Sequence, residues 1–153
     1  MWTYCSCGER HWGRYGAAGL LLTDPARTGV VLQKRSRMVH HGGTWSVPGG
    51  AIEGLEGPIQ AALREANEEA GVEEDTVSVV RTIVGTDHGD WSYTYVLAEA
   101  ERPDDPRLGT SWEADRTRWV DLDTVATRRL HPGLRVDWPG LLATLEGRDG
   151  RTA

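Results

Sequence analysis

The order of apolar and polar positions divides the chain into strands and helices. The stretch "YGAAGLLL" at 15–22 is almost continuously apolar, and "VVLQKR" follows at 30–35 after the polar "TDPARTG". Asp24-Pro25 and Gly29 are turn formers, so the two runs read as strands joined by a turn. A short strand is expected around residues 45–47, ended by Pro48 and the Gly49-Gly50 pair. The period then changes. In "GPIQAALREANEEAG" at 57–71, Pro58 suits a first helical position and Gly71 a C-terminal cap, with good helix formers between them. Ile59, Ala62, Leu63, Ala66 and Ala70 fall on one face of that helix, which small alanines let lie close to a sheet. "TVSVVRTIVGT", "WSYTYVLAEA" and "DRTRWVDL" are rich in β-branched and aromatic residues and predict three more strands. A short helix is expected over 121–130, capped by Asp121 or Asp123, and a C-terminal helix over 138–146 after the breaker "HPG". With no internal repeat, this order suits an α/β protein with a mixed sheet and helices on its faces.

Composition narrows the function without naming it. The 153 residues, 39% hydrophobic and 26% charged, are enough for one core without disulfides. The expected division is an N-terminal segment at 1–14, one domain over 15–148 and a flexible tail at 149–153. A net charge of −6 with dispersed basic residues argues against a nucleic-acid binder and means that a polyanionic substrate needs a cation to shield it. No apolar run is long enough to span a membrane, no signal peptide is evident, and two cysteines fit a reducing compartment, so a cytoplasmic protein is expected.

The chemistry is concentrated on the first helix. Glu65, Glu68 and Glu69 stand at i, i+3 and i+4 and share a face, expected roughly 120° from the apolar one at about 100° per residue. Like charges so placed repel, and a hard divalent cation such as Mg²⁺ or Mn²⁺ removes the repulsion while bringing a phosphorylated substrate with it. A solvated acidic face is the simpler reading of "EANEEA" alone.

The spacing beyond the helix decides between these. Gly50, Glu56, Arg64-Glu65, Glu68-Glu69, Gly71 and Val72 match the signature G-x5-E-x7-R-E-U-x-E-E-x-G-U, where U is apolar and Ala66 takes the softest position. The chain thus resembles the Nudix hydrolases. "TWSVPGG" before the box and "EADRTRWV" after it look like the family's lead-in and later strand. The resemblance implies the Nudix fold, an α/β/α sandwich with a mixed β-sheet and the box as loop, helix and loop. It also implies Mg²⁺- or Mn²⁺-dependent hydrolysis of a nucleoside diphosphate linked to some group X.

Carried over position by position, the resemblance makes Gly50 (through its carbonyl), Glu65, Glu68 and Glu69 metal ligands, with Glu113 as an additional ligand. Glu65, Glu68 and Glu113 are the catalytic candidates; Asp87, Asp90 and Asp115 are weaker rivals of Glu113. Glu56 and Arg64 are expected to brace the box. Arg35 and Arg37 are candidates for substrate phosphate, and Trp91, Tyr93 and Trp112 for base stacking, although aromatic residues in strands more often pack a core. The short chain looks most similar to MutT-like members that cleave a (d)NTP to NMP and pyrophosphate. ADP-ribose, nucleotide-sugar and dinucleoside polyphosphate hydrolases are the alternatives, and a non-catalytic nucleotide-sensing domain is the alternative of another class. The expected partner is a small nucleotide, with neither nucleic acid nor membrane, for a monomer or homodimer.

One cluster stands outside this reading. Cys5, Cys7 and His11, with a fourth ligand from His40, His41, His88 or His131, would make a tetrahedral zinc site. C-x-C is not the usual knuckle and no second cysteine pair follows, so free cysteines are favoured over structural zinc.

Overall fold

The computed structural model describes residues 2–4, 10–12, 15–38 and 40–147. The N-terminal segment, for which the sequence suggested no element, contains an antiparallel pair, β1 (Trp2–Tyr4) and β2 (Arg10–Trp12), with Thr3 opposite His11. Cys5 and Cys7, two of the residues of the possible zinc site, lie outside the described residues.

The main sheet has seven strands: β3 (Ala17–Thr23), β4 (Gly29–Lys34), β5 (Trp45–Ser46), β6 (Gly49–Ala51), β7 (Val77–Asp87), β8 (Ser92–Ala100) and β9 (Thr117–Asp121). Its path runs β5-β4-β3-β8-β7, with β6 beside β3 and β9 beside β4. The β3–β8 pairing is parallel and the others are antiparallel, which makes the sheet mixed as expected. The turn between β3 and β4 is held by Asp24, whose Oδ1 accepts from the backbone N–H of Thr28 and Gly29 at 2.8 and 2.9 Å.

Both faces of the sheet are covered. Ala18, Leu20 and Leu22 of β3 and Val96, Ala98 and Ala100 of β8 pack against α1 (Pro58–Ala70). The alternate residues, Leu21 of β3 and Tyr95 and Leu97 of β8, pack against Leu134, Trp138, Leu141 and Leu145 of α2 (Pro132–Leu145). This period of two, buried on both sides, is why β3 reads as an unbroken apolar run. No helix among the described residues is long and apolar enough to cross a membrane.

Three expectations are corrected. The helix over 121–130 is a 3-10 turn, Leu122–Thr127. The last helix begins at Pro132, not Trp138: Pro132 opens it, and the Nδ1 of His131 accepts from Gly133 N–H at 3.0 Å, so "HPG" starts a helix that Pro139 does not interrupt. On α1, Ile59 is exposed and Ala61 is fully buried. Adding Ala61 to Ala62, Ala66 and Ala70 widens the buried arc, and Glu65 projects between Ala61 and Ala62, inside it.

Candidate active site

The acids of α1 therefore divide. Glu68 has a side chain 57% exposed, whereas that of Glu65 is only 16% exposed and lies against Gly50. A Cβ at residue 50 would come within 2.6 Å of the Glu65 carboxyl, so glycine is what allows the helix acid and the β6 backbone to meet. Glu69 is open to solvent along its length, yet its carboxyl is crowded by protein. It accepts from the Gln33 side-chain amide and, at 3.4 Å, from Gly49 N–H, and it lies within hydrogen-bonding reach of Glu65. Desolvation of the carboxyl outweighs the Gln33 bond and, joined by the hydrogen bond with Glu65 and by its charge, raises the Glu69 pKa to about 7.

Arg64 fixes the surrounding loop. Its guanidinium meets Glu56 in a two-point pair at 2.7 and 3.1 Å, donates to the Ala51 carbonyl at 3.1 Å, and reaches Glu65 at 3.0 Å and Glu68 at 3.5 Å. Glu56 in turn accepts from Glu53 N–H at 2.9 Å, so the loop before α1 closes on itself. The Arg64 hydrogen bond holds the Glu56 carboxyl below its usual range, and that same bond raises the Arg64 guanidinium. Where the helix ends, Gly71 at φ 63° donates its N–H to the Asn67 carbonyl at 2.9 Å.

Beyond Gly49 and Gly50 the surface opens into a cleft of about 440 Å³. One wall is a run of rings: His11 stacks against both His88 and Trp91 at 4.7 and 4.5 Å, Trp91 lies 6.3 Å from Tyr93, and Tyr93 4.8 Å from Tyr95. The floor is polar. Asp137 of α2 accepts from the Tyr95 hydroxyl at 2.8 Å and from the Thr86 N–H at 3.2 Å, tying α2 to β7 and β8. Burial pushes the Tyr93 and Tyr95 phenols up, so both stay neutral donors. Opposite them stand Arg35, His40, His41 and His131. Burial, with Arg35 and the two other histidines adding positive charge, pushes His131 down to about 4 and keeps it a neutral cap for α2.

The structure brings together only some of the residues singled out in the sequence. Gly50, Glu65 and Glu69 converge, Glu68 adjoins them through Arg64, and Arg35, Trp91 and Tyr93 line the cleft. Glu113 sits on an exposed loop, paired with Arg116 at 3.3 Å. Asp87 accepts from Gly89 N–H in the β7–β8 turn, and Asp90 and Asp115 are exposed. Trp112 departs from the stacking role: it packs on the core beside Trp119, and its indole N–H donates to the Ala70 carbonyl at 2.6 Å, the wrong place for a base in the cleft. Arg37 turns away from Arg35 to a second pocket. Gln33, which donates to Glu69, and Thr86, Asp137, His131, Trp2 and Arg10, which line the cleft, were not singled out for the site. Only Gln33, one residue before the Lys34-Arg35 pair, carried a positional hint.

Among the described residues no three His, Cys, Asp or Glu side chains are gathered to hold a metal. The donor set nevertheless fits a hard divalent cation. Two carboxyls within hydrogen-bonding reach, one of them with its pKa raised, lie beside a backbone rich in oxygen acceptors, and a cation relieves the repulsion between them.

Comparison with known proteins identifies the family. The model of the NUDIX domain matches residues 13–137. The chain is 42% identical over 148 residues to a Mycobacterium tuberculosis protein named "Putative 8-oxo-dGTP diphosphatase 3", covering 92% of this chain and 67% of that protein. It is 40% identical over 153 residues to a "Nucleoside triphosphate pyrophosphatase/Nudix hydrolase fusion protein" of Bifidobacterium longum; this covers 95% of the chain but only 31% of the length of that relative. The crystal structure of a Nudix hydrolase from M. smegmatis, RenU, superposes with a TM-score of 0.83 at 39% identity over 96% of both chains. A C. elegans Ap4A hydrolase, at 23% identity and a TM-score of 0.64 over 86% of this chain and 98% of that one, shares the fold.

Proposed function

Since this chain belongs to the Nudix hydrolase family, we propose that it cleaves a phosphoric anhydride bond of a nucleoside triphosphate with the help of Mg²⁺ or Mn²⁺, giving NMP and pyrophosphate. The observation that carries the reading is the pair of carboxyls, Glu65 and Glu69, pressed against Gly49 and Gly50 at the mouth of the aromatic cleft. A divalent cation bound there would offset phosphate charge and lower the pKa of an attacking water. Glu65, Glu68, Glu69 and the Gly50 carbonyl would hold it, and Glu65 or Glu68 would take the proton from the water. Arg64 keeps Glu65 in place by a direct bond, while Glu56 keeps Arg64 in place. Glu113 is retained as a further ligand or base brought in from its loop.

The cleft suits the nucleoside end of the substrate. Trp91 and Tyr93 offer ring faces, Arg35 offers a charge to phosphate, and Asp137 and the neutral tyrosines offer hydrogen-bonding groups at the floor. The name of the M. tuberculosis relative makes oxidised purine triphosphates the first substrates to try. The acidic balance and the two cysteines support the cytoplasm as the place of action.

The test is a product-resolved assay at millimolar Mg²⁺ against dNTPs, oxidised dNTPs, ADP-ribose, nucleotide sugars and dinucleoside polyphosphates. The expected result is NMP and pyrophosphate from a triphosphate, abolished by a chelator and by Glu68→Gln. No turnover across the panel, with a nucleotide still raising the Tm, would replace hydrolysis by nucleotide sensing.

A further inference from the structure

Arg35 and Arg37, two positions apart, serve different cavities. Trp45 and Ser46 are neighbours on β5 and point to opposite sides of it; Ser46 lines the cleft with Arg35, and Trp45 lines a second pocket of about 400 Å³ with Lys34, Arg37, Gly42, Gly43 and Arg129. The loop from β4 to β5 folds back tightly to form it. At Gly42 a Cβ would come within 2.6 Å of the Ser36 carbonyl and 2.7 Å of the Arg37 Cα, and at Gly43, with φ +79°, a Cβ would lie 3.9 Å from the Arg129 guanidinium. Glycine, for space at 42 and for its positive φ at 43, lets the strand end, the loop and the segment that follows the 3-10 turn close around one space.

The charge in that space is unbalanced. Arg27, Arg64, Arg102, Arg107 and Arg116 each pair with a carboxylate. Among the described residues Lys34, Arg37 and Arg129 pair with none, as is also true of Arg35, Arg118, Arg128 and Arg135, but only here do three such cations line one pocket, in a chain whose net charge is −6. A fourth cation stands behind them. The Arg128 guanidinium lies over the Trp45 ring at 4.6 Å, and its buried Nε has no hydrogen-bond acceptor. An acidic protein that gathers cations without spending an acid on them leaves a place for an anion from outside, because their repulsion falls when one binds. Guanidinium forks and an ammonium match a tetrahedral oxyanion in geometry and in hydrogen-bond sense.

We propose that this pocket is a phosphate site, separate from the catalytic cleft, that takes an inorganic mono- or diphosphate ion without any metal. Diphosphate binds more tightly than phosphate there, since its greater charge and second phosphoryl group can engage more of Lys34, Arg37 and Arg129 at once. The proposal does not rest on hydrolysis: it concerns binding by residues on the other side of β5.

Calorimetric titration of the full chain in chelator, at constant ionic strength, with phosphate, pyrophosphate or AMP tests it. Saturable one-to-one binding of pyrophosphate is expected, weakened about fivefold or more by Arg129→Gln or by Lys34→Gln, as for loss of one charge-assisted bond, and little changed by Arg35→Gln. Both substituted side chains reach solvent, and circular dichroism confirms that the variants fold. AMP binding that depends on Arg129 in the same way supports the phosphate site and assigns it to esters. Binding lost in Arg35→Gln but intact in Arg129→Gln puts the anion in the cleft and overturns the proposal, as does no saturable binding up to about 10 mM, weaker than the millimolar range. Failure here leaves the catalytic reading standing, and an inactive protein that still binds pyrophosphate through Arg129 leaves this site standing.

Discussion

The two helices flank the same sheet but are built from opposite materials. Helix α1 meets it through Ala61, Ala62, Ala66 and Ala70, so its backbone approaches closely and its acids arrive beside the glycine backbone of β6. Helix α2 meets it through Leu134, Trp138, Leu141 and Leu145, and its one acid facing the sheet, Asp137, is consumed by hydrogen bonds to Tyr95 and Thr86. On the α1 side Glu69 is desolvated and faces a second carboxyl, Glu65, which its donors do not offset, and it is left with a raised pKa. On the α2 side the carboxyl has its donors within the protein. An acid with partners holds a fold together; an acid short of them waits for a ligand.

Substitutions of the acids sharpen that contrast most. Glu69→Gln is expected to lower kcat by about 10²–10³-fold, the scale for losing a group that supports transition-state charge, while the metal-free Tm stays the same or rises because a repelling carboxyl is gone. A parallel loss of stability would break the comparison. Arg64→Ala removes the braces to Glu56, Glu65 and Ala51, and is expected to cost about 1–3 kcal/mol by chemical denaturation and to weaken Mg²⁺ binding about 10-fold or more. Asp137→Ala is the counterpart on α2. It strands the Tyr95 hydroxyl and the Thr86 N–H, so it should lower stability by about 1–3 kcal/mol with metal affinity unchanged.

A smaller effect concerns pH. His131 is pushed from 6.5 down to about 4 in the folded protein, so the folded state binds fewer protons than the unfolded one between those values. The stability it contributes is complete above pH 6.5 and is lost as pH falls towards about 4. His131→Asn, which keeps a cap acceptor without titrating, should flatten Tm against pH over that window. An unchanged slope would remove His131 as the cause. Trp91→Ala is expected to raise KM about 10-fold with little change in kcat, the scale of one lost stacking contact.

What the sequence disclosed follows from how local each feature is. The pairing of Glu56 with Arg64, and the acids at 65, 68 and 69, lie within one loop and one helix, so their spacing was readable. The strands were readable from their apolar runs. The division among the acids was not, because it depends on Ala61 being buried and on Gly50 lying beside Glu65, which belong to the packing of α1 on β6. The cleft floor was hidden for a plainer reason: Asp137 meets Thr86 across 51 positions and Tyr95 across 42. The early start of α2 was concealed by "HPG", which breaks a helix from within but opens one from outside.

The crossing of β3 and β6 bears on how this site can change over time. At Gly19 a Cβ would collide with the Tyr93 hydroxyl and the Val47 side chain, and at Gly49 it would come within 2.5 Å of the Ala18 carbonyl and 2.6 Å of that same hydroxyl. Two glycines and a tyrosine thus occupy one point, and none of them can be enlarged without displacing another. Added bulk is accommodated more easily at the rim of the cleft, where β1–β2 and the loop from β4 to β5 supply Trp2, Arg10, His40 and His41. Exchanges at that border would reshape the mouth of the cleft while leaving the packed centre in place.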